Sequence, residues 1–263
     1  MGREAVMEKL QPTRVQLCGR FVIETGSGRR VEPSGRQARM LLGYLVLHRN
    51  RPASRAEIID AVWGTEPAPA ADSALSALLS KVRHALGWEI AGRGEVRLRV
   101  PAGTIVDAET AIENVHLGEA ALRRGELGAA YFCALTARYI AQRSFLAGCD
   151  AVWIDDWRRD LAGVHIRALE CFTQACLLIG GGELVAAQRA NGELVELAPY
   201  RESAHALRMR ALISGGNTAE ALLAYDGLRH RLRDELGVDP GPELRALYQE
   251  LLTATAPSGG TQT

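Results

Sequence analysis

The stretch DSALSALLSKVRHALG, residues 72–87, predicts an amphipathic helix whose outer face is small and polar. Since a helix turns by about 100° per residue, the larger apolar side chains fall on one narrow face. That face consists of Leu75, Leu79, Val82 and Leu86, with Leu78 at its edge. The opposite face consists of Ser73, Ala77, Ser80, Lys81 and His84, and no acidic residue follows Asp72 in the stretch. Such a helix either covers a core with a solvated outer face or lies against a negatively charged partner.

Strand-like segments and a first helix precede this stretch. Residues 14–25 have β-type composition and are followed by a GSG turn at 26–28. Residues 36–50 have the apolar spacing of a helix. The apolar positions of that helix are Ala38, Leu41, Leu42 and Leu45.

A second helix and a hairpin complete the pattern. Ser54 and Glu57 form a capping box that opens a helix over Ser54–Val62, and Gly64 ends it. After Gly87, residues 88–100 predict two short strands around a Gly-Arg-Gly turn. Strands, three helices and a hairpin in this order are typical of a winged helix-turn-helix domain.

The winged-helix pattern makes the outer face of 72–87 a candidate DNA-reading surface, since the third helix is the one that enters the major groove. The residues expected to face base edges are Ser73, Ser76, Ala77, Ser80, Lys81 and His84, with Arg83 flanking them toward the backbone. Arg93, Arg97 and Arg99 of the hairpin are expected to contact phosphates or the minor groove. Arg36 and Arg55 lie near the starts of the first and second helices, where phosphates commonly dock.

The remainder of the chain is predicted to be helical with an internal repeat. Segments 177–199 and 212–240 resemble each other at an offset of 34 residues, the tetratricopeptide (TPR) period. The matched pairs are Leu178 with Leu212, Gly182 with Gly216, Ala187 with Ala221 and Leu194 with Leu228. Residues 121–140 resemble a third helix–Gly–helix unit, before an interruption at 141–161. A TPR-like array offers a concave surface to a protein partner, whereas a plain helical domain with a coincidental period is the alternative.

Charge separates the two halves of the chain. Residues 1–107 carry 16 Lys and Arg against 11 Asp and Glu, and residues 108–263 carry 15 against 20. The net charge of zero therefore conceals a basic half, which suggests an anionic partner for that half. Five cysteines without a CxxC pair predict reduced, mostly buried thiols. With no apolar signal segment and no apolar run of membrane-spanning length, we expect a cytoplasmic protein without a membrane partner.

Catalytic motifs are absent from the sequence. There is no HExxH, GxSxG or GxGxxG motif and no phosphate loop, so neither a cofactor, a metal nor an appended ATPase module is expected. His165 and His205 lie in helical segments and are expected to be packing or surface residues. Asp155 and Asp156 are expected to lie on an amphipathic turn whose flanking tryptophans pack inward.

Four segments resemble the Streptomyces antibiotic regulatory proteins (SARPs). RPASRAEIIDAVWG (51–64) followed by ALSALLSKVRHALG (74–87) is similar to the DNA-binding core of that family, and LRVPAGTIVDAETA (98–111) is similar to its domain junction. ELGVDPGPELRALYQELL (235–252) is the most specific match. The resemblance implies a small SARP, with an OmpR-type winged helix followed by a TPR-like bacterial transcriptional activator domain.

The resemblance also sets the expected organisation and function. The expected segments are a flexible N-terminus (1–13), a winged helix (14–106), an activator domain (107–254) and a flexible tail (255–263). Such proteins activate secondary-metabolite clusters by binding promoter direct repeats, with a second copy on the tandem site, and by recruiting RNA polymerase. Two other function classes stay open: a TPR-type adaptor or repressor without activation function, and an enzyme, for which no catalytic constellation is present.

Overall fold

The computed structural model describes residues 11–66 and 69–255, which form two compact units. The first unit contains the described chain up to Glu113 together with Tyr139–Ala162. The second contains Asn114–Arg138 and the described chain from Gly163 onward. Of the predicted flexible ends, only 11–13 and Thr255 lie within the described residues: Thr13 is buried and Thr255 ends a helix. Pro67, in the link before residues 72–87, lies outside the described residues.

Among the described residues up to 106, the first unit contains ten elements, and a helix begins at Asp107. In chain order these are β1 (Arg14–Gln16), β2 (Val22–Glu24), β3 (Arg30–Val31), α1 (Arg36–Leu47), β4 (Ala53–Ser54), α2 (Arg55–Trp63), α3 (Ala71–Leu86), β5 (Glu89–Ala91), β6 (Glu95–Arg99), β7 (Ile105–Val106) and α4 (Asp107–Arg123). Strands, three helices and a hairpin follow one another as predicted. The first helix ends at Leu47, three residues before the predicted end.

The first sheet joins the two ends of the winged helix. Its strand order is β3-β2-β1-β7, with β7 parallel to β1 and the other pairs antiparallel. The Asp107 carboxylate accepts hydrogen bonds from the backbone N–H groups of Leu17 (2.7 Å), Cys18 (3.0 Å) and Ala108 (2.8 Å). Burial raises the pKa of Asp107, although these donors oppose the shift. One side chain therefore both opens α4 and satisfies the backbone after β1.

Helix α3 is formed and ended as its sequence indicates. Leu75, Leu79, Val82 and Leu86 are buried, and Leu78 is half-buried at the edge of that face. Gly87 ends the helix with φ 69°, a left-handed conformation that glycine adopts without strain. Helix α2 is capped by the Ser54 hydroxyl, which accepts the Glu57 N–H at 3.1 Å.

A second sheet, in the order β4-β6-β5, forms the wing. Strands β5 and β6 are an antiparallel hairpin, and β4 pairs with β6 through Ala53 opposite Val96. Val96 and Leu98 are buried while the residues between them are exposed, so the alternation of the hairpin is confirmed.

Residues Tyr139–Ala162, hereafter the inserted segment, complete the core of the first unit. The Leu146 N–H donates to the Leu17 carbonyl (2.9 Å), and the Gly19 N–H donates to the Ser144 carbonyl (2.8 Å). Phe145 and Leu146 are each 1% exposed. The interruption noted in the repeat pattern is therefore a part of the winged-helix core.

The tryptophans of the inserted segment pack inward, as expected. The Trp157 ring stacks on Phe145 at 5.6 Å, and the Trp153 Nε1–H donates to the Ala61 carbonyl at 3.0 Å. Asp155 and Asp156 form ion pairs three residues along the helix, with Arg158 and Arg159 respectively. Their arrangement is that of a solvated helix face.

The second unit is helical. The helices that follow α4 are α5 (Leu127–Ala141), α6 (Val152–Ile179), α7 (Leu184–Leu197), α8 (Glu202–Ser214), α9 (Thr218–Leu236) and α10 (Pro242–Thr255). Helices α4, α5 and α6 contribute residues to both units.

The predicted 34-residue offset relates α7 to α9. Leu184 opens α7 and Thr218 opens α9. The equivalent pairs Ala187 with Ala221 and Leu194 with Leu228 are all buried, so the repeat is structural. Leu178 and Leu212 are not equivalent in burial, since Leu178 is exposed at 58% and Leu212 is half-buried.

Length and composition alone would allow α6 to cross a membrane. Half of its most apolar stretch is buried in the fold. The core helix of a globular domain can have the same length and apolar composition. Helix α6 is therefore weak evidence for a membrane span.

Candidate nucleic-acid interface

The outer face of α3 is open along its length. All seven side chains predicted to lie on or beside this face are exposed: Ser73, Ser76, Ala77, Ser80, Lys81, Arg83 and His84. The acidic residue of α3 is Asp72, in its first turn. The face therefore combines short side chains with basic ones, and its acidic member lies at the helix N-terminus, where the helix dipole favours it.

Arg55 holds the start of α3 against the start of α2. Its Nε donates to the Asp72 carboxylate at 2.6 Å, and its Nη2 donates to the Asp72 carbonyl (2.9 Å) and the Ser76 hydroxyl (2.8 Å). The Arg55 backbone N–H also donates to the Gly94 carbonyl in the hairpin turn (3.2 Å). Arg55 therefore connects α2, α3 and the wing, and its guanidinium is already hydrogen-bonded within the protein.

Two other arginines fix the C-terminal half of α3. Arg83 donates to the Ile90 carbonyl of β5 at 3.0 Å, and Arg29 donates to the Ala85 carbonyl at 3.0 Å. Arg29 was not singled out from the sequence, because its partner lies 56 residues away. These bonds set the orientation of the helix relative to both sheets of the first unit.

The exposed face of the hairpin carries both signs of charge. Arg97 and Arg99 are exposed, and Arg99 lies opposite Glu89, whose carboxylate is 3.6 Å from its guanidinium. Glu95 is exposed on the same face of β6. Arg97 reaches the Asn50 carbonyl at 3.5 Å. The two predicted arginines are therefore accompanied by two carboxylates, which the alternation of Arg97 and Arg99 alone did not indicate.

Arg93 and Arg36 differ in their surroundings. Arg93 is exposed at the hairpin tip and makes no hydrogen bond or ion pair with the described residues. Arg36 opens α1 and donates to the Asp150 carbonyl of the inserted segment at 3.2 Å. Within the described part of the chain, no hydrogen bond connects Arg36 with α3 or the hairpin.

A partly buried cluster connects α1 to α2; its members are Tyr44, His48, Arg51 and Glu57. Glu57 accepts hydrogen bonds from the Tyr44 hydroxyl and the Arg51 guanidinium, and His48 stacks on Tyr44 with ring centroids 4.1 Å apart. The hydrogen bond from Arg51 is the main cause that lowers the pKa of Glu57 to about 2. Burial and the Glu57 carboxylate raise the pKa of Tyr44 to about 12.

The described residues contain no group of three or more His, Cys, Asp or Glu side chains that could hold a metal ion. His165 and His205 are buried, as expected of packing residues. Cys18, Cys149, Cys171 and Cys176 are buried free thiols, and burial raises the pKa of Cys18, Cys171 and Cys176 to about 12. The raised pKa of these three thiols favours the protonated form, which is the poorer nucleophile.

Two family models match the chain. The bacterial transcriptional activator domain matches residues 106–252, and the C-terminal domain of transcriptional regulatory proteins matches residues 28–96. The second match contains α1, α2 and α3.

Regulatory proteins are among the similar sequences. The regulatory protein AfsR of Streptomyces coelicolor is 33% identical over 83% of this chain, which spans 22% of the length of AfsR. The regulatory protein DnrI of Streptomyces peucetius is 28% identical over 87% of this chain and 88% of its own length. The structure of Mycobacterium tuberculosis EmbR in complex with a low affinity phosphopeptide matches 94% of this chain and 66% of its own, with TM-score 0.79 and 24% identity. That structure supports the fold.

Proposed function

The chain belongs to the Streptomyces antibiotic regulatory protein family of transcriptional regulators, and from that premise we propose that it is a sequence-specific DNA-binding activator. The observation that carries the proposal is the outer face of α3, which is exposed from Ser73 to His84. The acidic residue of α3, Asp72, is neutralised by Arg55. A helix of 16 residues with such a face can lie in a major groove without carboxylate–phosphate repulsion.

Short side chains on α3 determine how the sequence of the DNA is read. Ser73, Ala77 and Ser80 let the helix backbone approach the bases closely but make few bidentate hydrogen bonds. We therefore assign specificity to Lys81, to contacts with thymine methyl groups and to the shape of the DNA. Ser76 and His84 complete this face, with Arg83 at its flank.

Phosphate contacts are assigned to arginines around α3. Arg93, Arg97 and Arg99 of the hairpin are proposed to bind phosphate or the minor groove. Arg36 and Arg55 are weaker candidates than their positions in the sequence indicated, because both guanidinium groups are engaged within the protein. Either arginine would have to exchange a protein partner for a phosphate.

The second unit is proposed to act on a partner protein in the cytoplasm. Its residues, 114–138 and 163–263, carry 12 basic and 14 acidic side chains, so the second unit offers phosphates no net positive charge. We propose that it contacts RNA polymerase and a second copy of the chain on tandem direct repeats of a secondary-metabolite promoter. Direct repeats require an unsymmetrical contact between neighbouring copies. An enzymatic role is not proposed.

Footprinting of the full chain on the promoters next to its own gene tests the proposal. We expect protection of two direct repeats, and transcription by purified polymerase that increases with occupancy. A Lys81→Ala variant should lose protection, whereas Arg124→Ala should not, because Arg124 pairs with Glu126 in the second unit. Absence of selective protection would contradict DNA reading. Protection without an increase in transcription would favour the adaptor or repressor.

A further inference from the structure

A cleft of about 380 Å³ lies among α7, α8 and α9 of the second unit. It is lined from α7 by Val195, from α8 by His205, Arg208 and Leu212, and from α9 mainly by Glu220, Leu223 and Arg231. Its volume falls within the range of about 300–1,000 Å³ that is usual for small-molecule sites.

Two arginines of the cleft have no partner within the part of the chain that the structure describes. Neither Arg208 nor Arg231 makes a hydrogen bond or ion pair with the described residues. Other arginines of the second unit are paired, such as Arg167 with Glu119 and Arg201 with Glu170. Glu220 is the acidic residue of the cleft, so the positive charge of the arginines is only partly offset.

A buried imidazole that lines the same cleft has a ring nitrogen without a partner among the described residues. His205 is 5% exposed, and its Nε2 lies 3.0 Å from the Pro199 carbonyl, so Nε2 carries the ring proton. Its Nδ1 is buried and has no hydrogen-bond partner among the described residues. Burial lowers the pKa of His205. The hydrogen bond to the Pro199 carbonyl opposes this shift, as does Glu202, whereas Arg208 and Arg231 add to it. A neutral ring with a free lone pair can accept an O–H or N–H of a ligand.

Part of the wall of the cleft is apolar. Val195, Leu212 and Leu228 line it, together with Leu223, which is 69% exposed. An exposed leucine beside unpaired guanidinium groups fits a molecule with an apolar body and a charged end.

We propose that this cleft binds a small organic anion, with its charged group between Arg208 and Arg231, its apolar body against Leu223, and an O–H or N–H group on His205. Guanidinium groups recognise carboxylate, sulfonate and phosphate groups alike. The proposal goes beyond DNA binding and does not rest on it, since binding is measured without DNA.

The probe is 8-anilinonaphthalene-1-sulfonate, which joins an aromatic body and an N–H group to a sulfonate. Its matched control is N-phenyl-1-naphthylamine, the same body without the sulfonate. We expect saturable single-site binding of the sulfonate to the full chain, with Kd about tenfold lower than that of the neutral amine. Equal affinity of the two probes would overturn the proposal.

Variants locate the site. Arg208→Gln and Arg231→Gln should each raise the Kd of the sulfonate about tenfold. Leu223→Glu should abolish binding, since it places a carboxylate in the cleft. Arg210→Gln is the control because Arg210 is an exposed arginine of α8 outside the cleft.

Thermal melts accompany each variant, and the exposed positions of Arg208, Arg231 and Leu223 predict unchanged folding. Unchanged affinity in both cleft arginine variants would overturn the proposal. A loss in Arg210→Gln as large as theirs would also overturn it, because binding would then follow net charge.

Discussion

The side chains of the proposed DNA surface divide into those that the protein holds and those that it leaves free. Arg55, Ser76 and Arg83 have partners within the first unit. Ser80 and Lys81 make no hydrogen bond or ion pair with the described residues. The free residues exchange only water for DNA, whereas the held ones must first lose an internal bond. Free residues are therefore the sharper targets for mutation.

Arg97 tests the wing. Replacing it by Ala should weaken binding to all sequences alike and reduce the slope of log K against log salt by about one unit, because one phosphate contact is lost. The measurement is a salt series by fluorescence anisotropy, with Arg124→Ala as the control for net charge. An unchanged slope would remove Arg97 from the interface.

Ser80 tests the reading face of α3. A Ser80→Arg substitution should change the preferred site without abolishing binding, since the side chain is exposed and a guanidinium favours guanine. Selection from random DNA measures the preference of both proteins. Recovery of one identical motif would mean that α3 is oriented otherwise on the DNA.

Glu57 makes the stability of the first unit sensitive to acid. Its pKa in the folded chain is lowered to about 2 from an ordinary 4.5, so its stabilising effect is complete above pH 4.5 and is lost as the pH falls toward 2. The difference in unfolding free energy between the wild type and Glu57→Gln should therefore shrink over that interval. Urea titrations followed by tryptophan fluorescence measure it, and an equal difference at pH 7 and pH 3 would contradict the assignment.

At the scale of elements, the contact between α2 and α3 depends on Arg55 and Asp72. Arg55→Ala should destabilise the first unit by about 1–3 kcal/mol, the usual cost of losing charge-assisted hydrogen bonds. A double-mutant cycle with Asp72→Ala isolates the pair. Since the two residues are 2.6 Å apart, we expect the two effects to be strongly non-additive. Additive effects would mean that the pair does not join the helices.

Local signals predicted the helices and the hairpin correctly. The cap at Ser54, the left-handed Gly87 and the apolar face of α3 each depend on residues within a few positions of one another. Strand β7 was missed because two residues carry no periodicity, and its pairing with β1 spans most of the winged helix. Likewise, no local pattern links Arg55 to Asp72. The contacts that could not be predicted from the sequence join residues far apart in the chain.

At the scale of the whole molecule, the first unit draws on two separate stretches of chain. The predicted domain boundary at 106/107 stays a prediction. The first compact unit also contains the inserted segment, which follows that boundary in the sequence. A fragment that ends at residue 107 would lack Phe145 and Leu146, which are buried in the complete unit. Function is therefore better tested with the full chain than with such a fragment.

Phe145 measures how much the inserted segment contributes. Phe145→Ala should lower the stability of the first unit by about 3–5 kcal/mol, because a fully buried ring is removed. Urea unfolding by tryptophan fluorescence reports this unit alone, since all four tryptophans belong to it: Trp63, Trp88, Trp153 and Trp157.

The control for this variant is Phe132→Ala in the second unit, where the ring is 68% exposed. Its unfolding midpoint should stay at the wild-type value. If Phe145→Ala also left the midpoint unchanged, the inserted segment would not unfold cooperatively with the winged helix.

The inserted segment also determines when the winged helix can form during synthesis. A ribosome that has just translated Val106 has made the strands and helices of the winged helix, but not residues 144–146, which bond to the chain after β1. At roughly 5–20 residues per second, the missing part follows some seconds later. Part of the apolar surface of the nascent winged helix therefore stays uncovered until α5 and the start of α6 have emerged. Mutations in that stretch should reduce the yield of folded protein even where they touch neither DNA nor a partner.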